Sequence, residues 1–247
     1  PAHGSAPPPP VKAAGAEVAV IAPGGGTRQN AGVYESLGYK SGGPFNMKIL
    51  GSSHAPYDRY PASWHVGSPP PNLESWAEDL LTKHHLDGVQ CCVFGSRGGQ
   101  VVLPTLWKKL GGQIPPAVVI NGGCAMDTPS FQGSTWPQEA VTLMLLGGQD
   151  YFRGDISDDS AYIQETMSRV PRTNKTTAVL FVREMSHMPQ ARILSGVLGE
   201  LIKAAINWKR IGQAPIDNFD AMRKRLADIG FNAKLYYTKD QGWVQRG

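Results

Sequence analysis

Apolar and polar positions along the chain fall into short, mostly apolar runs separated by stretches with helical spacing. Runs over 17–22, 46–50, 89–94, 116–121, 140–146 and 177–182 predict strands apolar on both faces. Between them, Leu73, Trp76, Ala77, Leu80 and Leu81 recur at helical intervals, with acidic residues early, and predict a helix over 73–85. A shorter helix is expected over 30–39. A third spans 158–170, with Ser157 or Asp158 as its cap, and a strong amphipathic one spans 191–208. Strands buried on both faces and alternating with helices predict an α/β fold: a mostly parallel sheet with helices on both faces, a three-layer sandwich.

Composition changes at both ends of this pattern. Residues 1–15 are rich in Pro, Ala and Gly, with Pro7 to Pro10 consecutive, and read as a polyproline-like arm outside the core. Residues 16–212 carry the alternating pattern. Residues 213–247 add a helix over 216–229 and a strand over 233–237, read as an extension packed on the same domain. The stretch 51–71 is rich in Ser, Pro and aromatics. It predicts a long irregular loop bordering a functional site, with Tyr57, Tyr60 and Trp64 offering apolar surface.

Ligands of open parallel sheets gather at the carboxyl ends of the strands. Four ends here carry distinctive chemistry: Gly24-Gly25-Gly26, Ser96, Asp150 and His187. The clearest is 88–107, where an apolar run stops at Gly95-Ser96-Arg97-Gly98-Gly99 and apolar residues resume at Val101, Val102 and Leu106. Strand, sharp turn and helix follow each other with a serine at the apex, which projects a hydroxyl beside a helix amino terminus. Each residue also has a plainer reading: Ser96 as a helix cap, Asp150 as a turn residue, His187 as surface decoration. Their order favours chemistry over coincidence. Asp127 is the runner-up acid and Cys124 a spare nucleophile.

Glycine loop, serine, aspartate and histidine in this order resemble the α/β-hydrolase superfamily, whose triad runs nucleophile, acid, histidine. The resemblance covers about 16–210. Gly95-Ser96-Arg97-Gly98-Gly99-Gln100 looks like the family's nucleophile elbow, and Leu145 to Asp150 like its acid-bearing strand end. Met185 to Pro189 looks like its histidine loop, and Ala22 to Gly26 like its oxyanion loop. The chain departs from the pattern at Phe94, where the family usually has a small residue two before the nucleophile; Gly98 fits the position two after. The resemblance implies a compact member without a large helical lid, starting at the equivalent of the family sheet's third strand.

The implied activity is hydrolysis of an ester or related acyl bond through an acyl-enzyme. Ser96 attacks, His187 moves the proton, Asp150 orients the ring, and the backbone N–H groups of Arg97 and of Gly25 or Gly26 receive the oxyanion. Arg28 and Arg97 are candidates to pair with a substrate carboxylate. No metal or organic cofactor is implied, and the substrate is a small acyl compound. A second reading is a catalytically inactive relative serving as a binding or structural subunit, which leaves room for a protein partner; Phe94, the proline arm and the basic tail motivate it.

Charge and cysteine content add little. The 247 residues carry a formal net charge of +4, dispersed over short clusters such as Arg223-Lys224-Arg225, which argues against a nucleic-acid patch. No stretch approaches the ~20 apolar residues of a membrane span. Cys91 and Cys92 sit within a strand and point to opposite faces, as core residues rather than a disulfide, which favours a reducing compartment. Gly24 to Gly26 lacks the spacing of a nucleotide loop. His54 and His65 with Asp58 fit no zinc pattern, and His84-His85 end a helix.

Overall fold

The computed structural model describes residues 16–21, 45–50, 73–83, 86, 88–96, 98–111, 113–122, 136–151, 153 and 155–247. They contain eight strands and five α-helices. In chain order these are β1 (Ala16–Ile21), β2 (Phe45–Leu50), α1 (Leu73–Lys83), β3 (Val89–Gly95), α2 (Leu103–Leu110), β4 (Ala117–Ile120) and β5 (Thr142–Gln149). Then come α3 (Asp159–Ser168), β6 (Thr177–Ser186), α4 (Ala191–Ile211), α5 (Ile216–Asp228), β7 (Ala233–Lys239) and β8 (Gly242–Arg246). A short π-helical turn, Gly98–Val102, joins β3 to α2.

All eight strands form one sheet in the order β2-β1-β3-β4-β5-β6-β7-β8. Pairing is parallel from β2 through β6 and antiparallel for β6–β7 and β7–β8. The expected α/β architecture is therefore present, with an antiparallel margin at one side.

Alternation along the strands sorts the core into two layers. Cys92, Phe94, Val119, Met144, Leu146 and Phe181 face a cluster completed by Ala77, Leu103, Leu106, Trp107, Tyr162 and Ile163. Cys91, Val93, Val118, Leu143, Leu145 and Leu180 face the other, completed by residues of α4 and α5 such as Leu198, Leu201, Trp208, Phe219 and Met222. Helices α1, α2 and α3 thus cover one face and α4 and α5 the other, because residues one apart in a strand point to opposite sides. Cys91 and Cys92 divide between the two layers as the sequence suggests, and both are fully buried.

Element ends differ from the sequence reading in informative ways. Helix α1 is described over Leu73–Lys83, with His84 and His85 outside the described residues, and α4 runs on to Ile211, where Gly212 closes it with φ 73°. Asp158 caps α3, its Oδ2 accepting from the Ala161 N–H at 2.8 Å. Strand β5 continues through Gly147-Gly148 to Gln149, and β6 runs to Ser186, so the histidine directly follows a strand. The residues after 212 add α5 to a core layer and extend the sheet by two strands, of which the sequence indicated only β7. The arm 1–15, the helix expected over 30–39 and the loop 51–71 lie outside the described residues.

Candidate active site

The carboxyl edge of the sheet is built strand by strand. β3 ends at Gly95, and Ser96 follows with φ 47°, a left-handed backbone that a non-glycine residue seldom takes. Its N–H donates to the Ile120 carbonyl at 2.7 Å, tying the turn to the end of β4. Its carbonyl accepts from the N–H groups of Gly99 (3.0 Å) and Gln100 (3.1 Å), so Ser96 opens the helical segment that follows. The strand-turn-helix expected from the sequence is present, with a half-buried serine at its apex.

Close approach at this turn is met at Gly99 and Gly122. A Cβ on Gly99 would lie 2.2 Å from Val119 Cγ1, and one on Gly122 would lie 2.6 Å from the same atom and 3.2 Å from the Ser96 carbonyl oxygen. Phe94, by contrast, is fully buried in the layer of α1 to α3. Its bulk fills the core, and the tight contact falls on Gly99, three residues after the serine.

The next strand end carries a residue to which the sequence reading assigned no function. Asn121 follows β4, is 2 % exposed and has φ 49°. Its Oδ1 accepts from the Gly147 N–H at 2.8 Å, and its Nδ2 donates to the carbonyls of Ser186 and His187, each at 2.8 Å. One side chain thus joins the ends of β4, β5 and β6. The signal available in the sequence was an Asn before a glycine pair at a strand end, since Asn tolerates the left-handed region better than most residues.

Strand β6 reaches Asn121 by arching over β5. Gly147 pairs with Val182 and Gln149 with Ser186, so two steps on β5 face four on β6. The extra residues pass close over the glycine pair: a Cβ on Gly147 would lie 2.3 Å from the Met185 carbonyl oxygen, and one on Gly148 would lie 2.5 Å from that of Arg183. Gly147-Gly148 leaves room for this irregularity, and such bulges re-aim the residues beyond them. Gln190 secures the loop, donating through Nε2 to the Glu184 carbonyl at 3.0 Å, while Ser186 Oγ donates to the Met188 carbonyl at 2.6 Å.

His187 and Asp150 meet beyond these strand ends. His187 Nδ1 lies 2.9 Å from Asp150 Oδ1, with both side chains nearly buried. A carboxylate only accepts, so Nδ1 is the donor in this bond. Arg153 braces the loop after Asp150. Its guanidinium donates to the carbonyls of Gly148 (2.6 Å), Ile156 (2.7 Å) and Ser157 (2.7 Å) and pairs with Asp159 at 2.9 Å. The Tyr151 ring lies 5.2 Å from the imidazole and is 72 % exposed, which places an aromatic face at the rim. Met188, also exposed, follows the histidine.

Of the residues singled out from sequence, the structure brings Asp150 and His187 into contact. It places Ser96 on the same edge, beside the β4 end whose Asn121 holds the His187 carbonyl. Gly25, Gly26, Arg28 and Arg97 lie outside the described residues, as do Cys124, Asp127, His54, Asp58 and His65. Among the described residues no group of three or more His, Cys, Asp or Glu gathers as metal ligands, and no helix is long and apolar enough to cross a membrane. Compared with known proteins, the chain matches no family model and no curated protein.

Proposed function

We propose that the chain is a serine hydrolase of the α/β-hydrolase type, cleaving an ester or related acyl bond. The observation that carries this reading is the buried Asp150–His187 pair at 2.9 Å, on the same sheet edge as a serine with positive φ. A strained serine between strand and helix is how a nucleophile is presented on this kind of sheet. With Asp150 accepting at Nδ1, the neutral ring would offer Nε2 as the general base.

In the proposed reaction Ser96 Oγ attacks the acyl carbonyl while His187 Nε2 takes its proton. The tetrahedral oxyanion meets the backbone N–H of Arg97 and one from Gly25 or Gly26. The C–O bond to the leaving alcohol breaks as Nε2 returns the proton to it. Water then repeats the sequence on the acyl-enzyme, releasing the acid and restoring Ser96. Asp150 holds the ring orientation and stabilises its protonated form in both halves. Arg28 and Arg97 are proposed to meet any carboxylate on the substrate. Phe94 gives no support to the inactive-subunit reading, because it packs in the core while Gly99 and Gly122 provide the closeness at the turn.

A fluorophosphonate probe and a p-nitrophenyl ester test the proposal. Labelling of the parent chain at Ser96 is expected, with turnover. Ser96→Ala should lose both, with kcat down on the order of 10⁶-fold, as for removal of such a nucleophile elsewhere. Serine and alanine both carry a Cβ, so backbone strain at φ 47° is shared and the melting temperature should hardly move. Hydrolysis surviving in Ser96→Ala, or a parent chain that takes no label, rejects the assignment.

A further inference from the structure

We infer that Asn121 is the positioning residue that draws the His187 loop from the end of β6 toward the Ser96 turn, an inference resting on the acyl-transfer reading for its kinetic consequence but not for the bonds that make it. Neighbouring parallel strands lie about 4.8 Å apart, so the end of β6, three strands from β3, is about 14 Å from the serine turn. A histidine loop leaving β6 straight would stay over β5 and β6. The arch over Gly147-Gly148 starts its sideways path, and the Asn121 amide completes it by holding the Ser186 and His187 carbonyls at the end of β4. The Ser96 N–H is bonded to Ile120, the residue before Asn121, so the amide that holds the His187 carbonyl stands on the strand next to the serine's.

The same amide fixes the acid. Its Oδ1 holds the Gly147 N–H, and the Gly147 carbonyl accepts from the Asp150 N–H at 3.2 Å, closing the turn that aims the carboxylate. One buried amide therefore holds, through backbone atoms, the residues bearing base and acid, and it stands next to the strand bearing the nucleophile. An amide is the group required, because the junction needs one acceptor and two donors from one side chain.

Asn121→Asp tests this with little change of shape. Aspartate also tolerates positive φ and keeps the acceptor for Gly147, but it turns acceptor oxygens on the Ser186 and His187 carbonyls. The expected result is a fall in kcat of about 100-fold per fluorophosphonate-titrated site, with KM within about twofold, as for a small misplacement of a catalytic group. The His187 Nδ1 proton, shifted downfield in NMR by its bond to Asp150, should broaden or vanish. Counting kcat per titrated site removes any contribution from unfolded chains. If Asn121→Asp does not fold, Asn121→Gly removes the amide where glycine takes φ 49° freely, and the same two changes are expected. An unaltered His187 resonance in the folded variant overturns the inference whatever the activity does. A parent chain without turnover overturns the acyl-transfer reading instead, and the ring resonance still decides the role of Asn121.

Discussion

Ser96 and Asn121 are two of the three non-glycine residues with positive φ among those described, and they end neighbouring strands. Such conformations cost of order 1–3 kcal/mol each and persist where surroundings over-determine them. Here the surroundings are hydrogen bonds at 2.7–2.8 Å from both backbone N–H groups to the next strand along. Gly147 is the complementary case, a residue kept small by a backbone carbonyl. In Gly147→Ala the new methyl meets the Met185 carbonyl oxygen at 2.3 Å and its carbon at 2.9 Å, neither of which can rotate away. Overpacking of this kind costs about 1–3 kcal/mol. Urea denaturation should show that loss, and the displaced β6 end should carry His187 away from Asp150, lowering probe labelling of Ser96 as well. Stability and labelling equal to the parent's would refute the account of the arch.

At the scale of elements, local signals and distant contacts contributed differently. Asp158 was visible as a cap candidate because a short acceptor side chain before a helix has a local purpose. Asp158→Ala should cost about 0.5–2 kcal/mol in thermal or chemical denaturation, with little effect on labelling of Ser96. A loss below that range would mean that the Oδ2 bond to Ala161 contributes little. The six parallel strands, the two covered faces and the Ser96 turn were legible because burial on both faces leaves an apolar run and a turn leaves glycines. Strand β8 was not, since Gly242–Arg246 has no apolar run and forms by pairing with β7. The Gly147-Gly148 pair read as the end of a strand, whereas it continues one under the backbone of β6; nothing local distinguishes the two. Of the candidate site, the Asp150–His187 contact was what the resemblance to the α/β-hydrolase superfamily implies for an acid and a histidine at successive strand ends. The Asn121 junction depends on residues 26 and 65 positions away, a separation that periodicity does not encode.

For the whole molecule, the sheet is sealed between two apolar layers, and ionisable groups within it feel that burial. Burial raises the Cys91 thiol well above its ordinary range, with Cys92 adding to it, and pushes Cys92 up to about 12. Burial also raises Tyr236, so all three shifts share one sign. The unfolded chain then loses these protons first. The contribution to stability is complete below the unfolded thiol value, about 8.5, and declines as pH rises from there toward 12. Urea midpoints measured across that window should fall with pH, and Cys91→Ala with Cys92→Ala together should flatten the slope. An equal slope in both proteins would show that the thiols do not govern it.

Strand β6 runs parallel to β5 on one side and antiparallel to β7 on the other, and its last residue precedes the histidine. The backbone that carries the histidine is therefore anchored in the middle of the sheet rather than on a peripheral flap. Warming the parent chain should leave the pair engaged until the fold itself gives way, so that pair and fold are lost together in a single cooperative step.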